Sequence, residues 1–213
     1  MKKLFLAALS AFMILALTGC GGGDNNNGPV FVTTDILSDP VFDGDIQRDP
    51  FTGATIITQG MSFPTVQSVF AGIDPVSLVE SRAFLDFPLT GLGGVPGNAI
   101  VDSAFLDIFI NPQLAGTTVP LQVDLISLQP PNLIGSDFDR PALTTIFVNP
   151  TVGIGGKVSI NVFRLMDLAQ RRVELDFQVR IVKNTLGLIE INDTTATIED
   201  RNLFAPLLTV TYF

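Results

Sequence analysis

Histidine and tryptophan are absent from these 213 residues, and tyrosine and cysteine occur once each. Without imidazole the chain lacks the commonest general base and metal ligand, so Ser-His and Cys-His nucleophile systems and His-ligated zinc are excluded. One Cys can close no internal disulfide, and the fold must rest on its core alone. Basic residues are scarce, 12 against 21 acidic for a net −9. That balance disfavours nucleic acid, whose binding rests on Lys and Arg neutralising phosphates. A glycoside hydrolase needs only two carboxylates, about 5 to 9.5 Å apart. Its sugar cleft, however, usually stacks Trp or Tyr, and the single Tyr here, Tyr212, stands in the last strand-like run. The composition predicts a protein that is not an enzyme.

What is present begins at the N-terminus. Lys2 and Lys3 precede an apolar run, Leu4 to Leu17, broken only by Ser10. The run suits a signal peptide and falls short of the roughly 20 residues of a membrane span. It ends in Leu17-Thr18-Gly19-Cys20, which resembles the bacterial lipobox. The resemblance implies a signal peptide over 1–19, an acylated Cys20 carrying palmitate-type chains, and attachment to the cell envelope. Gly21, where Asp would signal retention, implies the outer membrane. Loss of Lys2 and Lys3 leaves an even more acidic chain, so acyl chains rather than attraction to anionic lipid must anchor it. Residues 20–28 then form the lipidated Cys and a Gly/Asn tether (GGGDNNNG), whose eight residues span about 15 Å r.m.s. as a Gly-rich coil.

From 29 to 213 the apolar pattern is period two with turn residues between runs, and one domain of this length can bury roughly 70% of its unfolded surface. In Val173–Ile181 the odd residues Val173, Leu175, Phe177, Val179 and Ile181 are apolar and the even ones polar, which predicts a strand with one wet face. Ile100–Ile110 places Ile100, Ala104, Leu106, Ile108 and Ile110 on one face, with Phe105, Asp107 and Phe109 opposite. Val119–Leu125, Val158–Val162 and Leu208–Tyr212 alternate likewise, and Ser81–Leu89 and Met61–Val69 are further strands. Only Phe163–Arg172 reads as helix, with Leu165, Leu168 and Ala169 on one face. The predicted fold is an all-β, jelly-roll-like β-sandwich with one short helix.

The order of these pieces resembles the DNRLRE-type domains, β-sandwich modules related to carbohydrate-binding modules of prokaryotic surface proteins. Ser81–Leu89 followed by Ile100–Ile108 is similar to that family's opening strand pair. Val158–Leu168 followed by Val173–Ile181 is similar to its strand, short helix and returning strand, and Leu203–Tyr212 to its closing strand. The resemblance implies the sandwich fold and a role in binding at the cell surface. The chain has none of the family's Trp near the short helix.

Candidate sites are few. Asp39, Asp43, Asp45 and Asp49 in DPVFDGDIQRDP could supply oxygens to Ca²⁺, which wants 6 to 8 of them, although the stretch reads first as a solvated acidic loop. Glu190, Asp193, Glu199 and Asp200 form a second, weaker acidic cluster. Gly153-Ile-Gly-Gly-Lys157 lacks the first Gly and the Ser/Thr of a phosphate loop and predicts a hairpin turn. Among 17 Phe, Phe105 and Phe109 stand out; intersheet packing is expected for them, with a partner patch as the alternative. No catalytic residue is expected, and no cofactor beyond a calcium candidate. The leading expectation is a membrane-anchored envelope lipoprotein with a non-catalytic binding or structural domain, its partner an envelope protein or a polysaccharide. A calcium-dependent carbohydrate-binding module is the alternative, and a carboxylate-based glycoside hydrolase the third.

Overall fold

The computed structural model describes residues 28–60, 68–128, 132–193 and 203–213. Residues 28–30 are exposed, and Phe31–Phe213 forms one compact unit. Residues 1–27, with the expected signal peptide and Cys20, residues 61–67 of the expected Met61–Val69 strand, and Glu199 and Asp200 lie outside the described residues.

Two antiparallel sheets carry the fold. In the smaller, β1 (Val32–Leu37), β12 (Leu207–Tyr212), β6 (Val101–Phe109) and β9 (Lys157–Asn161) lie in that order. The larger runs β11 (Gly187–Asn192), β4 (Ser68–Ile73), β5 (Glu80–Pro88), β10 (Asp176–Val182), β7 (Leu121–Ile126), β8 (Thr144–Val148). The hairpin of β2 (Gly44–Arg48) and β3 (Thr55–Gln59) joins it through β2 on β5. Alternating residues of both sheets meet in one core. The smaller sheet contributes Ala104, Leu106, Ile108, Val158, Ile160, Leu208 and Val210, and the larger Ala83, Leu85, Phe87, Val123, Leu125, Phe177, Val179 and Ile181. Phe87 and Phe177 stand opposite in the β5–β10 register, ring centroids 6.1 Å apart. The fold is an all-β sandwich with one short helix, as the alternation predicts.

That helix, α1, spans Phe163–Arg172 and lays Leu165, Met166 and Ala169 on the core, with Leu168 half-buried. Asn161 Oδ1 accepts the Phe163 N–H at its start (3.0 Å), and Arg171 and Arg172 sit in its last turn, where cations suit the dipole. Val173 ends it in the left-handed conformation, φ 56°.

Three details depart from the alternation. The strand expected at Val173–Ile181 begins only at Asp176, because Val173 caps the helix and Leu175 lies in the connection; both are exposed. The wet face expected for the same strand is covered: Gln178 and Arg180 are buried. The segment between β7 and β8 folds over the outer face of the larger sheet and packs Leu128, Leu133 and Phe138 on Ile46, Phe84 and Ile126. On β6 a register shift opposite Thr211 and Tyr212 changes the parity, so Val101 turns inward and Ile100 is exposed. The Gly153–Gly156 segment is a turn but not the expected hairpin, because it leads from β8 in the larger sheet to β9, which pairs with β6 in the smaller one. Gly156 has φ 87°, and a Cβ there would lie 2.0 Å from the Ile110 carbonyl oxygen. Among the described residues no helix is long and apolar enough to cross a membrane.

Candidate functional site

The larger sheet is covered on both faces in its centre, whereas the outer face of the smaller sheet meets solvent. Its pairing registers align residues in rows across the strands. Thr33, Thr211 and Ser103 form one row, and Asp35, Thr209, Phe105 and Asn161 the next. Leu37, Leu207, Asp107 and Ser159 form the third. Cross-strand bonds fix this surface: the Thr33 and Thr211 hydroxyls lie 3.0 Å apart, Thr209 Oγ1 donates to Asp35 Oδ1 at 2.7 Å, and Lys157 Nζ pairs with Asp107 Oδ2 at 2.8 Å. Phe105 stands in the middle row 41% exposed, so it is a surface ring and not intersheet packing. Phe109 is half-buried and meets Phe204 edge-on at 5.5 Å. Four strands at about 4.8 Å spacing thus present hydroxyls, carboxylates, an amide and an ammonium around the Phe105 ring, with Leu37, Leu207 and Phe109 half-buried among them. Such a face can hydrogen-bond and stack on a ligand.

The acidic stretch is divided among separate roles. Asp39 accepts the Val41 N–H (2.9 Å), and Asp49 accepts those of Phe51 (2.7 Å) and Thr52 (3.0 Å) in the β2–β3 turn, which holds the Asp49 carboxyl below its usual range. Asp43 and Asp45 are buried, contrary to a solvated loop. Asp43 Oδ1 accepts the Asp86 N–H at 2.7 Å; burial, then the neighbouring Asp193 carboxylate, pushes its carboxyl well up. Burial raises Asp45 to about 6, opposed by hydrogen bonds from Gln47 and the Phe70 backbone. Among the described residues no three His, Cys, Asp or Glu side chains group so as to hold a metal ion; Asp39 and Asp49 serve turns, while Asp43 and Asp45 are buried. Of the second cluster, Asp193 is buried near Asp43, while Glu190 lies half-buried on β11.

Sequence reasoning missed the polar layer on the outer face of the larger sheet. Arg180 donates from Nη2 and Nε to Asp124 Oδ2 (2.6 and 3.0 Å), and from Nη1 to the carbonyls of Phe138 and Arg140, both 2.9 Å. The guanidiniums of Arg48 and Arg82 lie 3.9 and 3.8 Å from the centroid of the buried Phe138 ring. Phe138 in a polar stretch was the available signal, since a large apolar residue between Asp137 and Asp139 must cover something.

Surface cavities are modest. One of ≈ 310 Å³ lies between the loop after β5 and the end of α1, lined by Leu89, Pro96, Gln170, Val173 and Leu175 among others. Another, ≈ 630 Å³, lies beside the β2–β3 hairpin, with Arg48, Glu80, Leu78 and Leu186 in its wall. Neither contains the buried Asp43 or Asp193. No protein-family model matches the chain, and no curated protein matches it.

Proposed function

We propose that this chain is a lipid-anchored envelope protein whose sandwich binds a partner without catalysis, through the open face around Phe105. The observation that carries the anchor is the run of Lys2, Lys3, a signal-length apolar segment and Leu17-Thr18-Gly19-Cys20, followed by a Gly/Asn stretch that leads into the sandwich. The open face supports binding, since it is ordered by its own cross-strand bonds and presents a half-exposed ring among polar groups. The absence of His and the burial of Asp43, Asp45 and Asp86 support a non-catalytic role. Expression of the full chain and of Cys20→Ser with labelled palmitate tests the anchor. The wild type should incorporate label and sediment with outer membrane, and the variant should do neither; equal labelling of both would overturn it.

The alternative is a carbohydrate-binding module. The hydroxyl- and carboxylate-bearing face with its exposed ring suits a polysaccharide, and the resemblance to the DNRLRE-type domains points the same way. Co-sedimentation of the full chain with insoluble polysaccharides, with calcium or with chelator, separates the readings. Retention lost in Phe105→Ala favours the sugar, calcium-dependent retention adds the ion, and no retention favours a protein partner.

A further inference from the structure

Exposed apolar side chains from separate segments gather at one end of the sandwich. In the smaller sheet β12 ends there and β1 and β6 begin there, as their antiparallel registers require. The loop from β5 to β6 links that end to the start of β10, its Leu89 N–H donating to the Leu175 carbonyl at 3.0 Å. Phe31, just before β1, meets Phe213 edge-on at 5.3 Å, and Phe213 exchanges both backbone hydrogen bonds with Ile100, at 2.9 and 3.1 Å. The loop from β5 to β6 is tied to this end twice: Thr34 Oγ1 donates to the Gly93 carbonyl (2.7 Å), and Gln170 Nε2 to that of Pro96 (2.5 Å). It carries Leu92 wholly in solvent, and the same loop forms a cavity with Val173 and Leu175. Phe31, Leu92, Ile100, Val173, Leu175 and Phe213 are each at least 42% exposed.

Val173 is the telling member. It holds the left-handed position that closes α1, where Gly is the ordinary occupant and a β-branched residue is strained. Capping alone would be better served by Gly; what Val adds is apolar surface. The arginines beside it carry no spare charge, since Arg171 pairs with Asp167 at 2.6 Å and Arg172 with Glu174 at 2.9 Å. The exposed carboxylate of Asp102, beside Val101, adds a negative charge at this end, which suits a zwitterionic surface over an anionic one.

The chain between Cys20 and Phe31 identifies the occupant. It enters the domain at this end, with only ten residues between Cys20 and Phe31. A lipid on Cys20 would therefore attach the chain to the bilayer through this end and not through the opposite one. We propose that this end of the sandwich inserts its apolar side chains into the headgroup–acyl boundary of the membrane that holds Cys20. The strands of the smaller sheet then stand up from the membrane, and the face around Phe105 is presented sideways to the envelope space. The inference rests on the lipid-anchor reading.

The absence of Trp gives the test a clean probe. Leu92→Trp and Ile154→Trp are made in the full chain, purified in acylated form and reconstituted in phosphatidylcholine vesicles. Ile154 is as exposed as Leu92 but lies at the opposite end of the smaller sheet, next to the Phe109–Lys157 pair. Brominated acyl chains should quench Leu92→Trp several-fold more than Ile154→Trp, with blue-shifted emission for the former alone. A protein that carries palmitate and floats with the vesicles, but whose Leu92→Trp emits as in water, overturns this inference and leaves the anchor standing. Blue-shifted but unquenched emission, with dimers on crosslinking, overturns it in favour of a second copy on this surface. A protein with neither palmitate nor flotation overturns the anchor and this inference together.

Discussion

Gln178 on β10 stands opposite Asp86 on β5, and its Nε2 donates to Asp86 Oδ2 at 2.6 Å. The other end of the same carboxamide accepts the Leu128 N–H at 2.5 Å. One buried side chain thereby joins two strands of the larger sheet to the segment that covers them. Gln178→Ala should cost about 1–3 kcal/mol, because the Leu128 N–H loses its partner away from water. Urea melts decide it, and a variant within about 0.5 kcal/mol of wild type would mean that water reaches this layer.

The buried carboxyls set the pH dependence. Burial raises Asp45 and Asp86 from 3.8 to about 6 in the folded state. Between those values the folded chain holds protons that the unfolded chain has released, so stability falls as pH rises. The contribution is complete below 3.8 and lost as pH passes through about 6. Asp43, raised by burial and then by Asp193, acts in the same direction. Asp45→Asn keeps the acceptor and removes the titration. Its Tm should exceed that of wild type at about pH 7.5 and match it at about pH 3.5. Parallel Tm–pH curves for the two proteins would refute the assignment.

Much of this architecture is legible in the sequence, because period-two alternation reports burial directly where one face is wet. β6, β7, β9, β12 and the whole of α1 fall where the apolar spacing puts them. The pattern fails where a second layer intervenes. Gln178, Arg180 and Asp124 look like a solvated face, yet Phe138 and its neighbours cover them, a long-range contact that no local window contains. Ile100 fails for another reason, since one extra residue in a bulge inverts the parity. Phe105 shows the limit for the candidate face. Alternation places it opposite the core, but whether a further layer covers that side depends on segments remote in sequence.

The boundary between α1 and β10 yields a sharp pair of substitutions. Leu175 and Phe177 share a parity, but Leu175 is mostly exposed in the connection and Phe177 is fully buried against Phe87. Phe177→Ala should cost about 3–5 kcal/mol through lost burial and the cavity left behind. Leu175→Ala should stay within about 0.5 kcal/mol. Chemical denaturation of both tests where the strand begins, and a large loss at Leu175 would extend it back toward Glu174.

Arg180 gives the strongest test of the covering layer. Its guanidinium neutralises Asp124, whose carboxylate also accepts from Gln122 Nε2 (2.9 Å) and Thr145 Oγ1 (2.6 Å). It also holds the carbonyls of Phe138 and Arg140. Arg180→Met leaves a buried carboxylate without its cation, which should cost about 3–5 kcal/mol. Arg180→Met with Asp124→Leu removes both charges and should recover a large part of that loss, since a buried ion pair is often little better than apolar packing. Neither variant restores the donors to Phe138 and Arg140. Amide exchange at Asp137 and Arg140, whose N–H groups bond to the Ile134 and Asp137 carbonyls, should therefore quicken in both. Recovery of stability with exchange still fast would separate the two roles, pairing a charge and fastening a segment. Unchanged exchange in both variants would show that Leu133 and Phe138 hold the cover down by apolar contact alone.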